Sequence, residues 1–118
     1  MATDPAPAPE APKPEEPTIH EAERIPGPDG AVEYGVELTI QQAVERRRRK
    51  LDIVVRGPKE RKNRHKARQV EEAVGIPVVQ DNPHGKTRMS LPHFHQESDD
   101  PEGHSFFEAG KRKARRKR

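Results

Sequence analysis

The sequence predicts a small α+β domain, a short mixed sheet of about three to four strands packed on one or two helices, with disordered tails at both ends. Three observations predict it. Only 29% of the 118 residues are hydrophobic and 36% are charged, so at most one small core can form. The apolar residues collect between residues 38 and 108, in short β-branched runs separated by charge-rich, helix-forming stretches. Proline crowds the N-terminal end and basic residues the C-terminal end.

Eight of the 13 prolines lie between Pro5 and Pro28. Proline removes backbone donors and pushes its predecessor towards extended structure, so residues 1–37 read as a disordered, acidic leader or linker. In LTIQQAVERRRRK, Thr39 is placed to cap a short helix carrying Ile40, Ala43 and Val44. The following run from Leu51 to Arg56 reads as a buried strand closed by Gly57-Pro58. Residues 59–74 contain no Gly or Pro and place Ala67, Val70, Ala73 and Val74 on one stripe, which predicts a second helix ending at Gly75. Residues 76–80 form the next strand. This β-helix-β order favours parallel strands joined by a crossover. LPHFHQ, residues 91–96, alternates so that Leu91, His93 and His95 share one face and Phe94 and Gln96 the other. Residues 104–108 read as a last strand. The domain thus spans residues 38–108, and residues 109–118 form a disordered basic tail. Its core is expected from Leu51, Ile53, Val54, Val55, Val70, Val74, Ile76, Val78, Val79, Leu91, Phe94 and Phe106.

The net charge of +3 is a cancellation. Residues 1–38 hold nine acidic residues against Lys13 and Arg24, a balance of −7, and the remainder holds 21 basic against 11 acidic, a balance of +10. A body of that charge suits a polyanion, with nucleic acid as the natural partner. The phosphate-contact candidates are Arg46, Arg47, Arg48, Arg49, Lys59, Arg61, Arg64 and Arg68. The absence of cysteine excludes a disulfide scaffold, a thiolate zinc finger and a cysteine nucleophile. No apolar run approaches the roughly 20 residues of a membrane span, and the start lacks the basic and apolar regions of a secretory signal.

Histidines carry the chemistry. His84, His93, His95 and His104 lie in the least regular segment, beside Lys86 and Arg88. Two imidazoles across a phosphodiester serve as base and acid in one turnover, because their unperturbed pKa lies near neutrality. In this reading His95 and His104, with His93 beside them, exchange protons while Arg88 or Lys86 stabilises the phosphorane formed by attack of a ribose 2′-hydroxyl. No cofactor is needed. The alternative is zinc, with His93 and His95 as an HxH pair and His84 or His104 as a third ligand. His65 belongs to the basic helix and reads as a solvated residue.

Residues VVRGPKERKNRHKARQVEEAVG, NPHGKTRMSLPHFHQ and PEGHSFFEAGKRK together resemble the C-terminal toxin domains of bacterial polymorphic toxin systems of the Rhs and contact-dependent effector class. The resemblance covers roughly residues 51–113. It implies a nuclease, commonly a metal-independent RNase on a small α+β sheet, acting in the cytoplasm of the producing or target cell and neutralised by an immunity protein, here expected to be acidic. RNA is favoured over DNA as the target, and no membrane partner is expected. Two further readings stay open: a non-enzymatic nucleic-acid-binding module and a zinc-stabilised interaction protein.

Overall fold

The computed structural model describes residues 16–26, 30–83, 90–98 and 102–117. Along these residues the chain forms β1 (Thr18–Arg24), β2 (Val32–Leu38), α1 (Ile40–Arg48), β3 (Ile53–Arg56), α2 (Glu60–Val74), β4 (Val78–Asp81), β5 (His93–Gln96), β6 (Ser105–Phe107) and β7 (Arg115–Arg116). The strands join one mixed sheet in the order β4-β5-β6-β3-β1-β2-β7. The α+β class agrees with the sequence. The sheet is larger, with seven strands among the described residues in place of three to four.

The additional strands come from the two regions read as tails. β1 and β2 lie in the stretch assigned to the leader, of which residues 1–15 and 27–29 are outside the described residues. β1 pairs antiparallel with both β2 and β3, so it is an interior strand covered on both faces. Ile19 enters the core under the helices, and Ala22 enters a second cluster with Val32, Val54, Leu91, Phe106 and Ala114. A strand covered on both faces shows no clean alternation, and the β1–β2 register shift between His20 and Ala22 breaks the period further. The basic tail supplies β7, which runs parallel to β2. Lys117 Nζ lies 2.6 Å from Glu23 Oε1, and Arg115 Nη2 lies 3.6 Å from Glu33 Oε2. Acidic residues counted with the leader thus meet cations counted with the tail.

Both predicted helices form, but of the stripe expected on α2 only Ala67 and Val70 are buried, beside Asn63 and Glu71, while Ala73 is exposed. Thr39 Oγ1 accepts from the Gln42 backbone N–H, and Gln42 Oε1 accepts from that of Thr39, a complete capping box. α2 ends at Gly75. β3 and β4 run parallel, as the β-helix-β order predicts, but they are not neighbours. β5 and β6 lie between them, with β4 antiparallel to β5, β5 antiparallel to β6, and β6 parallel to β3.

Register fixes what each face carries. Directly opposed residues share a face, so the pairs Gln80↔Phe94 and Val78↔Gln96 point one way and Asp81↔His93 and Val79↔His95 the other. Phe94 packs with Ala67 and Val70 of α2, which makes the first set the helix face. The histidines occupy the opposite face. Two expected core residues are outside: Leu51, in the turn between α1 and β3, and Ile76, which is 78% exposed in the link between Gly75 and β4.

The core also holds an ion pair. Arg47 and Glu71 are 0% exposed, with Arg47 Nε 2.7 Å from Glu71 Oε1. The Arg47 guanidinium donates to the carbonyls of Leu51, Glu102 and Gly103. The Glu71 carboxylate accepts from Gln96 Nε2 and Ser105 Oγ. Buried charges persist only when paired and hydrogen-bonded in this way.

Candidate active site

The β4–β5 hairpin and the start of β6 gather four ionisable side chains on the face away from the helices. His93 and His104 have ring centroids 4.3 Å apart, His95 and His104 5.6 Å, and His93 and His95 6.2 Å. Asp81 joins them from the neighbouring strand. Its Oδ2 is 2.7 Å from His95 Nε2 and 3.6 Å from His93 Nε2.

The three histidines differ in environment. His93 is 1% exposed and packs edge-on against Phe106, so it supports the cluster from beneath and cannot itself reach a substrate. His95 keeps 15% of its side chain exposed. Its Nδ1 lies 2.8 Å from the Gln96 carbonyl oxygen while Nε2 faces the Asp81 carboxylate. A carbonyl oxygen only accepts, so Nδ1 carries a proton. An ionised Asp81 likewise accepts from Nε2. The ring therefore satisfies both neighbours as an imidazolium.

His104 is held in the opposite state. Its pKa is lowered to about 3, first by burial and then by the neighbouring charges of His93, Arg24, His95 and Arg47. Its Nδ1 is buried and makes no hydrogen bond among the described residues. Its backbone is fixed more firmly. The His104 N–H donates to Asp52 Oδ1 at 2.8 Å, and its carbonyl accepts from the Ile53 N–H at 3.2 Å. Asp52 is held in turn by Arg24 Nε at 2.9 Å. Immediately before His104, Arg47 grips the carbonyls of Glu102 and Gly103.

The lowered pKa has a measurable consequence. Between about pH 6.5 and pH 3 the unfolded chain protonates His104 while the folded chain does not, so this group's contribution to stability is complete above pH 6.5 and declines as pH falls through that window. Ring-nitrogen NMR is expected to show His104 neutral at pH 5. A cationic ring at that pH would contradict the environment described above.

Gly103 is the second sensitive point. It adopts φ +103°, and an added Cβ would lie 2.5 Å from Arg47 Nη1 and 3.0 Å from Asp52 Oδ1, the groups that set the position of His104. Gly103→Ala is expected to destabilise the domain by about 1–3 kcal/mol, read as a lower midpoint in urea denaturation. An unchanged midpoint would show that the turn relaxes freely.

No protein family, curated protein or solved structure matches the chain. Among the predicted catalytic residues, His93, His95 and His104 are brought together, whereas Lys86 and Arg88 lie outside the described residues, as does the metal candidate His84. Among the described residues no three His, Asp or Glu side chains are arranged to hold a metal ion.

The predicted phosphate contacts divide. Arg47 is wholly buried in its pair with Glu71, so it cannot contact nucleic acid. Arg46 is largely committed too, donating to the carbonyls of Asp52 and Ala22 and to Glu21. The physical reason lies in helix phase. The inward stripe of α1 passes through Ile40, Ala43 and Val44, and Arg47 continues it at i+7. Arg48 and Arg49 remain exposed, as do Lys59, Arg61, Arg64 and Arg68 on and beside α2. Arg68 forms an exposed pair with Glu72; Arg61 and Arg64 make no ion pair among the described residues.

Sequence reasoning missed Asp81, Asp52 and Arg24. Asp81 was detectable: reading residues 76–81 and 91–96 as an antiparallel pair would put it opposite the histidines. Arg24 sits in the stretch read as linker, and nothing local in the sequence marks Asp52.

Proposed function

We propose that the chain is a metal-independent, toxin-type ribonuclease in which His95 and His104 act as acid and base. The observation that carries this reading is the contrast between two rings 5.6 Å apart, one flanked by acceptors on both nitrogens and the other kept neutral. Neighbouring titratable groups driven to opposite protonation states are the usual arrangement for acid–base chemistry. His104, neutral, takes the proton of the ribose 2′-hydroxyl as that oxygen attacks phosphorus. His95, as the imidazolium, turns its Nε2–H from Asp81 to the departing 5′-oxygen and protonates it as the P–O5′ bond breaks. The products are a 2′,3′-cyclic phosphate and a free 5′-hydroxyl.

A pKa of about 3 makes His104 a weak base in the free protein. A phosphodiester anion between the rings offsets the cationic contributions of Arg24 and Arg47 and raises that value towards the working range. Arg24, with 54% of its side chain exposed, is more open to solvent than the buried Arg47 among the cations acting on His104. It is suited to stabilise charge on the phosphorane. The exposed arginines of α2 supply nonspecific attraction to phosphate. They would serve a non-cleaving RNA-binding module equally well, and the histidine pair is what favours an enzyme. On this reading the chain acts in the cytoplasm of the producing bacterium or of a target cell, and an acidic immunity protein is its natural antagonist. No helix among the described residues is long and apolar enough to cross a membrane.

The test is incubation of the purified chain with total RNA in EDTA. Cleavage lost in both His95→Ala and His104→Ala supports the reading, and RNA left intact over a wide range of enzyme concentrations overturns it.

A further inference from the structure

A groove lined by arginines lies on the helix side of the sheet, away from the histidines. A cleft of about 370 Å³ between α2 and the β4–β5 hairpin is lined by Arg61, Arg64, His65, Arg68, Gln80 and Phe94. An adjoining cleft of about 240 Å³ shares Arg64 and Gln80 and reaches Asn82 and Arg112. The two make one groove along α2. Arg61, Arg64 and Arg68 follow one another at three and four residues, which spaces them by about 4.5 and 6 Å along the helix axis, and Arg61 and Arg64 have no acidic partner among the described residues.

Among the described residues, β4 forms the sheet edge that this groove and the histidine cluster share. It is the outermost described strand on that side of the sheet. Consecutive residues of a strand point to opposite faces. Gln80 therefore lines the groove while Asp81, the next residue, contacts His95. A ligand leaving the groove reaches the site by turning over a single strand edge.

We propose that this groove binds single-stranded RNA whose chain crosses the β4 edge to present its scissile phosphate to the histidines. The far end of that path rests on the ribonuclease reading above; the groove itself does not. The turn sets the substrate class. A nucleic-acid duplex is stiff, with a persistence length of about 150 bp for DNA, and cannot fold around one strand within a few nucleotides. A single strand can. Arginine spacing along the helix also suits a regular row of phosphates better than the irregular acids of a protein surface.

The test uses a non-cleavable 12-nucleotide 2′-O-methyl RNA, with binding to the full chain measured by fluorescence anisotropy as a function of salt. Each phosphate contact to a single strand contributes about 0.7 to the slope of log affinity against log salt. Arg61→Gln with Arg64→Gln is expected to reduce that slope by about 1.4, and the blunt duplex of the same sequence is expected to bind at least about tenfold more weakly than the strand. Both side chains are exposed, so the double variant should retain the native melting temperature. An unchanged slope, or a duplex bound as tightly as the strand, overturns the proposal. So does poly-glutamate replacing the RNA with the same arginine dependence, which would assign the groove to an acidic protein. Arginine-dependent binding of the strand by a chain that cleaves no RNA would leave the groove standing and remove the ribonuclease reading.

Discussion

His95→Ala is expected to lower RNA cleavage by about 10²- to 10⁴-fold, the range that a positioned general acid or base contributes. His95 is the partly exposed member of the cluster that meets an acceptor at each nitrogen, at 2.8 and 2.7 Å. Truncating it removes the proton donor for the leaving oxygen, and Asp81, on an outer strand and 38% exposed, stays open to water. The fold should lose little. Asp81→Asn tests the same point differently, because an amide can no longer favour the imidazolium electrostatically. It should reduce kcat more than it changes KM. Initial rates on a fluorogenic RNA, with thermal melts as the folding control, decide the matter. A His95→Ala rate within threefold of the native chain would place the chemistry elsewhere.

Arg47→Met is expected to cost about 3–5 kcal/mol in unfolding free energy, the range for breaking a buried pair by removing one partner. Glu71 would remain as a buried, unneutralised carboxylate, and the carbonyls of Leu51, Glu102 and Gly103 would lose their donor. A domain of this size has about 5–15 kcal/mol in total, so the variant should be partly unfolded at 37 °C. Removing both charges, with Arg47→Met and Glu71→Leu, should recover only part of the loss. Gln96 Nε2 and Ser105 Oγ would still be left without the carboxylate they bond. Urea denaturation of the three chains measures this, and a single variant as stable as the native chain would contradict the burial.

These two residues also show what the sequence could and could not disclose. α1, α2, β3 and β5 were legible because capping, periodicity and alternation are local signals. Thr39 and Gln42, Ala67 and Val70, and the alternation of LPHFHQ each act within a few residues. β1 was not legible. It takes its place in the sheet from partners up to 38 residues away, as in Thr18↔Arg56, and its short text TIHEAER carries two buried residues on opposite faces. The arginine run Arg46–Arg49 reads as uniform charge, yet helix phase turns Arg47 into the core, ties Arg46 to nearby carbonyls and leaves Arg48 and Arg49 outside. The histidine cluster was legible as a composition bias. The different states of its members were not, since they depend on the Asp81 carboxylate, the Gln96 carbonyl and the burial of His104.

The most direct test of the central claim is a chimeric DNA oligonucleotide carrying one ribonucleotide, incubated with the native chain in EDTA. Cleavage only at the ribonucleotide, with a 2′,3′-cyclic phosphate on one product and a 5′-hydroxyl on the other, is the predicted result. No cleavage, cleavage that requires a divalent metal, or equal cleavage of the all-deoxy strand would contradict it.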